Sequence, residues 1–85
     1  MKLESISQVF EYLRDGYGYS EAIADCLNAH NLGLSTLEAH FSTWLWLPDG
    51  VTEDEAYPTE ADKQYARELG RIEELLTMNG LIYKD

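Results

Sequence analysis

From Thr59 to Gly80 apolar residues recur at helical spacing: Tyr65, Leu69, Ile72 and Leu76 stand at i, i+4, i+7 and i+11. That period makes one apolar stripe on an otherwise polar helix. Thr59 and Asp62 frame its start as a weak capping box, and "NG" at 79–80 gives two residues that tolerate the left-handed conformation of a helix end. A helix over 60–78 is roughly 28 Å long at 1.5 Å per residue. A stripe of that length needs other helices to cover it, and the rest of an 85-residue chain must supply them.

Three earlier segments have the required pattern. Ile6, Val9, Phe10 and Leu13 define a helix over 5–15, with Ser5 as its N-cap and Gly16 as its stop. Ser20 caps a second over 21–30, whose inner face holds Ala22, Ile23, Cys26 and Leu27, and "NLG" at 31–33 ends it. "STLE" at 35–38 matches a capping box in which Ser35 bonds forward and Glu38 reaches back. Leu37, Phe41, Trp44 and Leu45 follow as the inner face, and Pro48 ends the run. The aromatic residues of "TWLWL" also suit a short strand. The tail "LIYKD" either docks Leu81 and Ile82 on the core or adds one edge strand.

The expected fold is therefore mainly all-α: a compact four-helix domain over 1–85, with an acidic loop at 48–58 between helices three and four. A chain this short buries about 60–65% of its unfolded surface, so its core must be dense. Its 45% hydrophobic content, with two Trp, six Tyr and two Phe, is richer than a disordered chain allows.

Sixteen acidic residues face six basic ones, for a formal net charge of -10. Nucleic-acid binding needs a positive face, and anionic membranes repel a chain of this sign. The complementary partner is a basic protein surface. Cys26 is the single cysteine, so no intrachain disulfide forms, and a buried thiol in a reducing compartment is the expectation. "MKLESISQVFEYL" contains no apolar run like that of a signal peptide, and "WLWL" is far short of a membrane span. A cytoplasmic location, in a bacterial or host cell, is expected.

A search for chemistry finds no constellation. Cys26 and His30 are one helical turn apart with His40 ten residues on, but three soft ligands fall short of a structural zinc site. The surroundings of Cys26 are acidic or apolar, whereas a reactive thiolate wants positive neighbours. "DGYGYS" lacks the Lys of a phosphate loop, and "DGVTEDEAYPTEAD" lacks the spacing of a calcium loop. No cofactor, no metal and no enzymatic activity are expected.

The stretch "SEAIADCLNAHNLGLSTLEAHFSTWL" resembles a helix-turn-helix, and "ELLTMNGLIYKD" resembles the last helix and strand of a winged helix. The resemblance implies a scaffold of that topology. It does not extend to DNA reading, because residues 35–47 contain no Lys or Arg to meet phosphates and base edges.

What remains is "WLWLPDGVTEDEAYPTEAD", residues 44–62. Helical spacing sets Trp44 and Trp46 about 200° apart, so if one faces the core the other does not. Either Trp46 tucks under the loop, against Tyr57, or it stands out with Tyr57 as an apolar anchor. In the second case Asp49, Glu53, Asp54, Glu55, Glu60 and Asp62 ring it, as charged rims surround aromatic anchors at interfaces. Lys63, Arg67 and Arg71 form one basic stripe, which either pairs with Glu60, Glu68 and Glu74 or meets the acidic loop of a second copy in a homodimer. In size, charge and helical make-up the chain resembles the small inhibitors of phages and mobile elements, among them anti-CRISPR, anti-restriction and DNA-mimic proteins. The function expected is a non-catalytic blocker of a basic, nucleic-acid-handling protein surface. The alternative is a structural or regulatory helical adaptor or dimerisation module with degenerate helix-turn-helix topology.

Overall fold

Ser5 begins the first helix as the spacing requires, and its partner is Gln8. The Ser5 hydroxyl accepts from the Gln8 amide at 3.2 Å while Gln8 Oε1 accepts from the Ser5 amide at 3.3 Å, a complete capping box. The structure, a computed structural model, describes residues 3–83. It contains five helices: α1 (Ile6–Tyr17), α2 (Ser20–Leu32), α3 (Leu34–Leu45), α4 (Glu53–Ala56) and α5 (Glu60–Met78). Among the described residues there is no strand.

The long helix lies where its stripe demands. α5 packs on α1, α2 and α3, and α2 packs on both α1 and α3. Leu69, Ile72 and Leu76 are fully buried at this junction with Val9, Leu13, Ile23, Cys26, Leu37 and Phe41. The tails close the ends. Leu3 and Ile82 join the core, and the Leu3 amide donates to Asn79 Oδ1 at 3.2 Å. On α5 the buried position beside Leu69 is Ala66, while Tyr65 is half-buried and lies against Trp44 and His40 of α3.

Several local expectations need correction. α1 runs through Gly16 to Tyr17 and ends at Gly18, whose φ of 72° is the left-handed cap conformation that glycine adopts without Cβ strain. α2 starts at Ser20 itself, with Tyr19 as N-cap and no side-chain cap bond. α2 and α3 are joined by Gly33 alone, at φ 142° and ψ 157°, a backbone region open almost exclusively to glycine. That junction starts α3 at Leu34, so Ser35 lies inside the helix and caps nothing. α3 stops at Leu45, two residues short of the expected end, because Pro48 disfavours helical geometry at Leu47. "TWLWL" is thus helix to Leu45 and irregular beyond.

The acidic segment is not wholly a loop, which makes five helices in place of four. Thr52 accepts from the Glu55 amide at 3.3 Å and caps the single turn of α4, whose first residues Glu53, Asp54 and Glu55 suit the positive end of a helix. Thr59 caps α5 by accepting from the Asp62 amide at 3.0 Å, as expected. Residues 81–83 form no strand, and Lys84 lies outside the described residues.

Candidate protein-binding surface

α3 ends at Leu45, so the two tryptophans part company as their spacing requires. Trp44 turns inward and is half-buried; Trp46, the C-cap, is 59% exposed. Tyr57 follows Trp44 and not Trp46. Its ring stacks on the Trp44 indole at 6.2 Å between centroids and 10° between planes, and its hydroxyl donates to the Trp44 carbonyl. Only 8% of Tyr57 is exposed, so it forms no part of an outward anchor. Burial raises its pKa above the ordinary tyrosine value, and the nearby Glu53 carboxylate adds to the rise.

The ring beside Trp46 is Tyr83, at 5.6 Å. Tyr83 sits at φ 56°, an unusual conformation for a bulky residue. Two carboxylates hold it there: Glu38 Oε2 accepts from its amide at 2.7 Å, and Glu73 Oε2 accepts from its hydroxyl at 2.5 Å. Burial, then the Glu73 bond, raise the Tyr83 pKa. Glu38 therefore clamps the C-terminal tail, instead of reaching back to cap α3.

The expected contact residues divide into three groups. Trp46, Asp49, Glu53, Asp54, Glu55 and Glu60 are all exposed. Within that set Lys63 Nζ meets Asp54 at 3.1 Å and Glu60 at 3.9 Å, and these carboxylates, Asp54 first, raise its pKa. Exposed pairs of this kind contribute only a few tenths of a kcal/mol. Asp49, Glu53 and Glu55 have no ion-pair partner among the described residues. Asp62 faces elsewhere, into a cleft described below. The remaining stripe residues bond locally: Arg71 to Glu74 at 3.1 Å and Arg67 to Gln64 Oε1 at 3.2 Å, while Glu68 accepts from Gln64.

Two clefts flank α5. The first, about 240 Å³, is lined by Leu45, Leu47, Glu53, Tyr57, Lys63, Ala66 and Arg67. The second, about 310 Å³, is lined by Glu21, Asp25, His40, Trp44, Ala61, Asp62 and Tyr65. In it the Tyr65 hydroxyl donates to Asp25 Oδ2 at 2.8 Å and lies 2.9 Å from His40 Nε2. A phenol has one proton, so His40 carries hydrogen on Nε2 and donates to Tyr65. Burial, then the bond to Asp25, raise the Tyr65 pKa. Residues 25, 40 and 65 lie on three helices, and no local period links them. The sequence hints at this cleft only through the i, i+4 spacing of Glu21 and Asp25.

Cys26 is fully buried, and desolvation, with Asp25 nearby, pushes its thiol up to about 12. His30 packs edge-on against Phe10 at 6.4 Å. Among the described residues no group of three or more His, Cys, Asp or Glu is placed to hold a metal ion, and no helix is long and apolar enough to cross a membrane. No protein-family model matches the chain, and no curated protein or solved structure shows a match to it.

Proposed function

We propose that this chain is a non-catalytic acidic interaction protein that binds and blocks a basic surface on a nucleic-acid-handling protein. It acts in the cytoplasm in the manner of the small DNA-mimic and anti-CRISPR inhibitors of phages and mobile elements. The observation that carries this reading is the exposed Trp46 indole, followed within nine residues of the chain by the exposed carboxylates of Asp49, Glu53 and Glu55, which have no ion-pair partner among the described residues. With 59% of the residue exposed, roughly 150 Å² remains to be buried, about 3–4 kcal/mol at 25 cal/mol per Å². The carboxylates add attraction at long range and compete with phosphate for the same groove, since duplex DNA presents a charge every ~1.7 Å along its axis.

Affinity capture at two salt concentrations tests the reading. The expected catch is a basic nucleic-acid-binding protein that salt releases, that duplex DNA displaces, and that a Glu53→Gln, Asp54→Asn, Glu55→Gln variant fails to retain. Capture that resists both salt and the triple substitution refutes it.

The second reading, a helical adaptor or dimerisation module of degenerate helix-turn-helix topology, draws on the apolar residues around Gly33. Leu32 is 79% exposed and Leu34 39%. An interface of that kind is held by apolar burial, so changing Leu32 to Asp disrupts it and salt does not.

A further inference from the structure

The cleft between α2, α3 and α5 has carboxylates but no Lys or Arg in its lining, unlike the cleft on the other side of α5. Glu21, Asp25 and Asp62 edge it, and none of them pairs with a basic residue among those described. Glu21 and Asp25 stand at i, i+4 on α2, a like-charge spacing that is unfavourable in an isolated helix. The first turns of α2 and α5 favour Glu21 and Asp62 through the helix dipole, but Asp25 lies beyond the first turn and has no such support. Across α5, the neighbouring cleft contains its own cations, Lys63 and Arg67, beside Glu53.

The walls are aromatic and rigid. Trp44 and Tyr65 lie 4.6 Å apart, and His40 meets Tyr65 edge-on at 84°. The Asp25–Tyr65–His40 hydrogen bonds fix the phenol, and they leave Asp25 Oδ1 free. Aromatic faces flanked by carboxylates are the surroundings a desolvated cation prefers. The acidic oxygens do not converge tightly enough to hold a metal ion. Spread acceptors beside tilted and edge-on rings suit a planar cation with several divergent donors, which describes a guanidinium better than a compact ammonium.

We propose that this cleft, walled by Trp44, Tyr65 and His40 and edged by Glu21, Asp25 and Asp62, is a guanidinium-binding site that receives an arginine side chain of the partner protein. The proposal rests on the reading above for its partner, and it adds a second anchor on the face of α5 away from Lys63. The complex then has two attachment points of different chemistry: an indole projecting from the protein, and a pocket that accepts a projecting cation.

A free probe tests the site without any partner. N-acetyl-arginine methylamide is titrated into the labelled protein, and the Trp44 and Trp46 indole N–H and His40 ring signals are followed by NMR. The expected result is a saturable shift at Trp44 and His40 with a dissociation constant on the order of a millimolar. Trp46 stays still, and the neutral citrulline derivative produces no saturable shift. A Glu21→Gln, Asp62→Asn variant with unchanged helical circular dichroism binds at least tenfold more weakly. The proposal is overturned if the citrulline or lysine derivative binds as well as the arginine one, or if the double variant binds unchanged. Binding of the probe by a protein that captures no basic partner leaves the site standing and removes the inhibitor reading; the opposite outcome removes the site alone.

Discussion

Replacing Glu38 by Ala separates two roles that one carboxylate could have. If "STLE" were a capping box, Ser35→Ala and Glu38→Ala would cost similar amounts and would be coupled. In the structure Ser35 caps nothing, whereas Glu38 Oε2 accepts the Tyr83 amide at 2.7 Å. A hydrogen bond to a charged acceptor contributes about 1.5–3 kcal/mol. Releasing the tail also relieves the left-handed strain at Tyr83, on the order of 1 kcal/mol, so the net cost of Glu38→Ala is about 0.5–2 kcal/mol. In a domain of this size that lowers Tm by roughly 2–16 °C. Ser35→Ala stays within about 0.5 kcal/mol of the parent, as an exposed substitution with no partner should. Thermal melts followed by circular dichroism measure both, and the emission of Trp46, which packs on Tyr83, reports whether the tail has left. Equal losses for the two variants, or a melt for Glu38→Ala indistinguishable from the parent, would show that the clamp is not there.

Three further outcomes are expected. The Cys26 thiol, fully buried and pushed up to about 12, should resist an alkylating reagent at pH 8 until denaturant is added; modification of the native protein at the rate of a free thiol contradicts its burial. Stability should fall in alkali, because Tyr57, Tyr65, Tyr83 and Cys26 all have raised pKa values in the fold. The unfolded chain then releases its protons first, so the contribution is complete below pH ~9 and declines as pH rises toward the folded values; urea midpoints that hold steady or increase from pH 8 to 11 break this reasoning. Gly33→Ala should cost about 1–3 kcal/mol from backbone strain alone, since an added Cβ meets nothing nearer than Thr36 Oγ1 at 4.0 Å; a denaturation midpoint matching the parent would mean that the α2–α3 junction has another geometry.

The parts of the fold that were legible in the sequence rest on short-range regularities. The bounds of α5 follow from its stripe, the Thr59 cap and "NG", because each acts within one turn of the residues it orders. Pro48 stops α3, and the 200° between Trp44 and Trp46 sets one in and one out, both being consequences of helix geometry. Ser5 was readable for the same reason. The failures share a cause too. Ser35 and Glu38 have the right spacing for a capping box, but Gly33 turns the chain so sharply that α3 begins two residues earlier, and a strained tail 45 residues away takes the carboxylate. Tyr57 is polar enough to belong to the rim and apolar enough to pack; the position of the Trp44 indole decided the matter.

By itself the sequence determined a helical chain, strongly acidic, with one tryptophan unable to face the core. Periodicity, caps and charge are properties of neighbours along the chain, and they survive without any knowledge of its path. Tertiary structure alone decided which carboxylates are neutralised, which tail Glu38 clamps, and that Asp25, His40 and Tyr65 meet in one cleft. Those outcomes depend on the angles at which helices cross, and helices cross where their buried side chains fit, information that no window of local sequence contains.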